Sequence, residues 1–126
     1  MDVRKAAEAA RDYLVSIRRE FHQHPELSMQ EFRTAQRIEE ELDRLGIPHT
    51  RVGETGVLGT LRGEKEGGRA VVLRADIDAL PIEETHGCAY RSQNPGVMHA
   101  CGHDAHAACL LGGAKILAEH RDAFGG

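Results

Sequence analysis

Apolar positions near the N-terminus recur at helical spacing. Leu14, Ile17 and Phe21 lie three and four residues apart with charged residues between them, which predicts an amphipathic helix from residue 2 to about 24. His24-Pro25 should end it, because the residue before a proline disfavours the helical region. Ser28, with Glu31 three residues on, has the form of a capping box. Phe32, Ala35, Ile38, Leu42 and Leu45 then make the apolar stripe of a second helix that stops at Gly46. After Gly46 the period changes. Residues 47–52 and 56–61 predict short strands, and 63–68 a polar turn. Ala70-Val71-Val72-Leu73 has no polar alternation, which predicts a strand buried on both faces. Residues 74–102 show no clear period and contain Pro81 and Pro95, as a long functional loop with room for one short strand would. A third helix is expected from about Asp104, placed as its cap, to about His120. Leu110, Leu111, Ala114 and Leu117 form its apolar face.

Helices, then strands, then a helix point to a layered α/β fold. The sheet looks unfinished, since a buried central strand needs neighbours on both sides. The length of 126 residues fits one domain. A net charge of -4, without a basic run or a set of stacking aromatics, excludes a general nucleic-acid or acidic-membrane partner. No apolar run approaches the roughly 18 residues of a membrane span, and no apolar signal core follows the charged N-terminus, so a soluble cytoplasmic protein is expected. Three cysteines, Cys88, Cys101 and Cys109, do not make a disulfide framework and suit a reducing compartment. Of eight histidines, His99, His103 and His106 cluster around Cys101.

That cluster carries the first chemistry. In Met98-His99-Ala100-Cys101-Gly102-His103-Asp104-Ala105-His106 a thiol and an imidazole stand two residues apart with glycine between. Both suit zinc and similar ions, and Gly102 lets the backbone turn so that both side chains face one point. A buried thiol beside a histidine of the helix cap is the alternative reading. A second stretch, Leu73-Arg74-Ala75-Asp76-Ile77-Asp78-Ala79-Leu80-Pro81, sets two carboxylates and an arginine directly after the predicted buried strand. Ligands gather at such strand ends, and a carboxylate there can hold a histidine ligand through its free ring nitrogen. A solvated turn with Arg74 paired to an aspartate fits equally. His22 and His24 read as helix-end packing and hydrogen-bonding residues, Cys88 and Cys109 as small packing residues. His106 sits either near the metal or in a cap hydrogen bond. Gly53–Gly59 lacks nucleotide-loop spacing and reads as a turn between strands.

Taken together, four stretches resemble the aminoacylase-like metal-dependent amidohydrolases and peptidases, which include bacterial hippurate and N-acyl-amino-acid hydrolases and plant auxin-conjugate hydrolases. They are Arg18-Arg19-Glu20-Phe21-His22 with Pro25-Glu26-Leu27, Thr55-Gly56-Val57, residues 73–81 and residues 98–106. The resemblance implies a three-layer α/β/α, zinc-peptidase-like catalytic domain. It also implies two divalent ions (zinc or manganese) and hydrolysis of the amide bond of a small N-acyl amino acid. Cys101 and His103 map onto metal ligands of that family, and Asp76 onto a carboxylate that supports a ligand; Arg74 stands where related peptidases carry a histidine and is not counted. The family's mechanism uses a glutamate as general base beside a second, metal-binding glutamate. After His103 the only glutamate here is Glu119. Residues 1–126 are therefore expected to be the N-terminal portion of the catalytic domain, without the inserted dimerisation domain or the C-terminal half, and inactive alone. Two alternatives stand beside this: a non-catalytic metal-binding fragment, and a remnant that self-associates into a homo-oligomer through an exposed strand edge.

Overall fold

A computed structural model describes residues 1–126. The first helical stripe folds as two helices rather than one, α1 (Val3–Ala9) and α2 (Arg11–Gln23), which meet at Ala10. Asp2 caps α1 by accepting from the Lys5 N–H at 3.2 Å. After Pro25 comes α3 (Phe32–Arg44), but the expected capping box does not form. Glu31 is the N-cap and makes no side-chain capping bond. The carboxylate of Glu26 reaches in instead, accepting from the N–H groups of Arg33 at 3.2 Å and Thr34 at 2.7 Å. A charged acceptor at a helix N-terminus satisfies free donors and complements the dipole, so a longer side chain outside the helix does what Ser28 was expected to do.

Strands β1 (His49–Val52) and β2 (Gly56–Gly59) form an antiparallel hairpin with Val52 opposite Gly56. This two-stranded sheet, packed with helices, is the α/β part of the fold. The strand expected at Ala70–Leu73 does not form. Residues 66–78 make no backbone–backbone hydrogen bond, and Val71, Val72 and Leu73 are 78%, 85% and 57% exposed. A strand exists only as a member of a ladder, and this run pairs with neither strand of the β1–β2 sheet. Val71 and Leu73 instead line a cavity of about 740 Å³ together with Leu110, Leu111, Ala114 and Leu117 of the third helix.

The third helix, α4 (His103–Glu119), appears where it was expected. It packs on α2 through a core of Ile17, Phe21, Ala107, Ala108 and Leu111, joined by Leu42 and Ile47 from the α3 side. The approach is close: a Cβ on Gly112 would lie 2.9 Å from Leu14 Cγ. Small residues on α4 thus set the distance to α2. No helix is long and apolar enough to cross a membrane. The expectation that Cys109 is a packing residue is not met, for it is exposed; Cys88 is half-buried, and all three cysteines are free.

One buried ion cluster joins α2 to α3. Glu41, 4% exposed, accepts from Arg37 at 2.7 Å, and Arg37 also donates to Glu20 at 2.8 Å. Burial pushes the Glu41 carboxyl up, but the hydrogen bond and charge of Arg37 outweigh it and hold the group below its ordinary value. A carboxyl with a depressed folded value stabilises the fold fully above its unfolded pKa, and that stabilisation fades as pH falls through the folded value. Glu41→Gln is therefore expected to cost roughly 1.5–3 kcal/mol at neutral pH. In thermal melts the gap to the unaltered protein should narrow in acid below about pH 4; a gap that stays constant down to pH 2.5 would contradict this.

Candidate metal centre

Two ties bring the sequence's chemistry together. Leu80 and Met98 form an isolated antiparallel bridge, each donating its N–H to the other's carbonyl at 3.0 Å. The bridge lays the end of the 73–81 stretch beside the approach to Cys101. At Gly102 the backbone takes φ 104°, a left-handed conformation that costs a Cβ-bearing residue strain and glycine little. The chain turns there, between the two predicted donors. His103 becomes the first residue of α4, and Cys101 remains exposed just before it.

His103 is held firmly. Its Nδ1 lies 2.8 Å from Asp78 Oδ1 and 3.0 Å from the Asp78 carbonyl oxygen. Carboxylate and carbonyl oxygens only accept, so Nδ1 donates, and in the neutral ring the lone pair is then on Nε2. This is the arrangement in which an imidazole is ready for a metal ion, oriented by the partner of its other nitrogen. The carboxylate in question is Asp78, however, and not Asp76. Asp76 pairs with Arg74 at 2.6 Å on the surface, so the solvated-turn alternative holds for that aspartate alone.

The donor chemistry fits a divalent ion at this point: an accessible thiol and an imidazole with a free Nε2. It fits only in part, because no group of three or more His, Cys, Asp or Glu side chains is arranged to hold one. Catalytic zinc sites have three protein ligands plus water. His106 lies beside His103, ring centroids 5.9 Å apart and tilted by 35°. Glu119 lies at the far end of α4, paired with Lys115.

Beneath the donors is a buried polar cluster that the sequence did not announce. Asp104, 1% exposed, does not cap α4; Gly102 is the N-cap and makes no side-chain bond. Asp104 Oδ2 instead accepts from Arg18 at 2.9 Å and from His22 Nδ1 at 2.8 Å. His22 Nε2 donates to Glu84. Burial pushes the Glu84 carboxyl up, but bonds from the Ser92 N–H and His22 bring it below the ordinary range. His99 is also buried, without a partner on either ring nitrogen, and its burial lowers its pKa. His22 was expected to play a packing and hydrogen-bonding role at the helix end, and it does. The involvement of Glu84 had no signal in a single sequence, since nothing there ties residue 84 to residue 22.

Residues 72–126, which include both donors and Asp78, match the peptidase family M20/M25/M40. The chain is 49% identical over 117 residues to a thermostable carboxypeptidase 2 of Saccharolobus solfataricus, covering 91% of this chain and 30% of that protein. It is 45% identical over 122 residues to an N-acyl-L-amino acid amidohydrolase of Geobacillus stearothermophilus, covering 96% and 33%. The crystal structure of the Bacillus subtilis YxeP protein, described as a dinuclear metal-binding peptidase of the M20 family, superimposes with a TM-score of 0.85 at 41% identity. That match covers 91% of this chain and 33% of the other. Over these residues the chain is similar to peptidases of the M20/M25/M40 family. The chain spans about a third of the length of the relatives it matches. The resemblance carried by residues 18–27, 55–57, 73–81 and 98–106 thus agrees with these similarities, and the α/β fold agrees with that of the solved relative.

Proposed function

We propose that residues 1–126 are the N-terminal portion of the catalytic domain of a metal-dependent amidohydrolase that cleaves the amide bond of N-acyl amino acids. The observation that carries this reading is His103. Its Nδ1 is fixed by Asp78 at 2.8 Å, one glycine from an accessible thiol, in a chain 45% identical to an N-acyl-L-amino acid amidohydrolase. In this reading Cys101 and His103 hold a divalent ion, zinc or manganese, and Asp78 orients His103. Such an ion polarises the scissile carbonyl and lowers the pKa of a bound water. The two-metal character of the solved relative supports a pair of ions in the complete site. Three free cysteines support a reducing, cytoplasmic setting.

What these residues do not hold is equally specific. General-base catalysis needs a carboxylate within reach of the attacking water, and the one glutamate after His103 points its charge at Lys115, at the other end of α4. The 126-residue protein is therefore expected to be inactive toward N-acetyl- and N-benzoyl-amino acids, with or without added zinc or manganese. The test is a transplant in which these residues replace their counterpart in the Geobacillus amidohydrolase. Turnover by the transplant, and none by the isolated chain, supports the reading. A folded transplant without activity sinks it.

A further inference from the structure

His22 has no part in the proposed hydrolysis, yet it is one of the most constrained side chains in the molecule. It is 4% exposed. Nδ1 lies 2.8 Å from Asp104 Oδ2, and Nε2 lies 2.8 and 3.0 Å from the two oxygens of Glu84. Carboxylate oxygens only accept, so both ring nitrogens donate. Each carboxylate has a further donor: the Ser92 N–H on Glu84 at 2.8 Å, and Arg18 on Asp104 at 2.9 Å. The cluster ties α2, the loop holding Glu84 and Ser92, and the first turn of α4 to one another. Asp104 follows His103 directly, inside that first turn.

Stability alone does not call for such a cluster. Buried charged networks often contribute no more than apolar packing of the same volume, and α2 already packs on α4 through Ile17, Phe21, Ala107 and Ala108. What the cluster adds is position. Apolar packing lets a helix slide or rotate at modest cost, whereas short charged bonds at both ends of one imidazole fix where α4 begins. The residue whose placement depends most on that point is His103, with Cys101 one glycine away.

We propose that His22, clamped between Glu84 and Asp104, is a positioning residue for the metal donors. It sets the first turn of α4 and thereby the direction of the His103 ring toward the ion that Cys101 shares. This rests on the reading of Cys101 and His103 as ligands. Loosening a group behind a ligand weakens metal affinity by about 10- to 100-fold.

The experiment is a cobalt(II) titration of the 126-residue protein, followed by the thiolate-to-cobalt charge-transfer band, with far-UV circular dichroism to confirm folding. The variants are His22→Gln, Glu84→Gln and, as a control for lost stability, Leu42→Ala, which opens the core without touching the cluster. Glu84→Gln is nearly isosteric and keeps the test readable if His22→Gln unfolds. The expected result is a band in the unaltered chain, at least tenfold weaker cobalt affinity in the two cluster variants, and unchanged affinity in Leu42→Ala. Unchanged affinity in the cluster variants, or an equal loss in Leu42→Ala, would overturn the positioning role while leaving the metal reading intact. No band in the unaltered chain would overturn the metal reading itself, and the positioning role with it.

Discussion

Cys101→Ala in the transplanted amidohydrolase is expected to lower kcat/KM for an N-acyl amino acid about a thousandfold, with the protein still folded. The magnitude follows from the role. A metal ion contributes several kcal/mol of transition-state stabilisation, and about 4 kcal/mol is a factor of a thousand in rate. Little of the loss should come from the fold. Cys101 is exposed, outside the core of Ile17, Phe21, Leu42, Ile47, Ala107, Ala108 and Leu111, and substitutions at such surface positions change stability by about 0.5 kcal/mol or less. The check is a pair of measurements on one preparation, steady-state kinetics and thermal unfolding. Lost activity with an unchanged Tm is the expected pattern. Full activity in Cys101→Ala would remove the thiol from the chemistry.

The second large effect separates two aspartates that sequence places on equal terms. Asp78→Ala removes the carboxylate at 2.8 Å from the Nδ1 of His103 and leaves it only the backbone carbonyl of residue 78 at 3.0 Å, so the ring is oriented less firmly. A loss of about 10- to 100-fold in metal affinity or turnover is expected. Asp76→Ala removes only a surface pair with Arg74, both side chains at least half exposed, and such pairs are worth about 0–1 kcal/mol. In the transplant, Asp76→Ala should therefore stay close to the unaltered rate. The reverse order of effects would restore Asp76 to the supporting role that the family resemblance assigned it.

The physics of the chain explains why these assignments divided as they did. The helical stripes were legible because helix formation is local, and the period of Phe32, Ala35, Ile38 and Leu42 speaks for itself. The hairpin of residues 49–59 was legible for the same reason. The run Ala70–Leu73 was misleading: its composition describes a strand inside a wide sheet, while its structure depends on whether a neighbour pairs with it, and among these 126 residues none does. At the site, Cys101 and His103 stood out because one glycine joins them. Asp78 did not, because Asp76 and Asp78 share one face of an extended chain, and only the Leu80–Met98 bridge decides which of them meets His103. The His22, Glu84 and Asp104 cluster spans 82 positions from end to end, and no local pattern encodes a contact of that separation.

The central claim is that one sulfur and one imidazole converge on the same ion. X-ray absorption at the zinc edge, on the zinc-loaded 126-residue protein and its Cys101→Ala variant, reads this directly. The prediction is a single sulfur neighbour at about 2.3 Å together with imidazole scattering, and loss of the sulfur contribution in Cys101→Ala. Zinc surrounded by nitrogen and oxygen alone in the unaltered protein would contradict it.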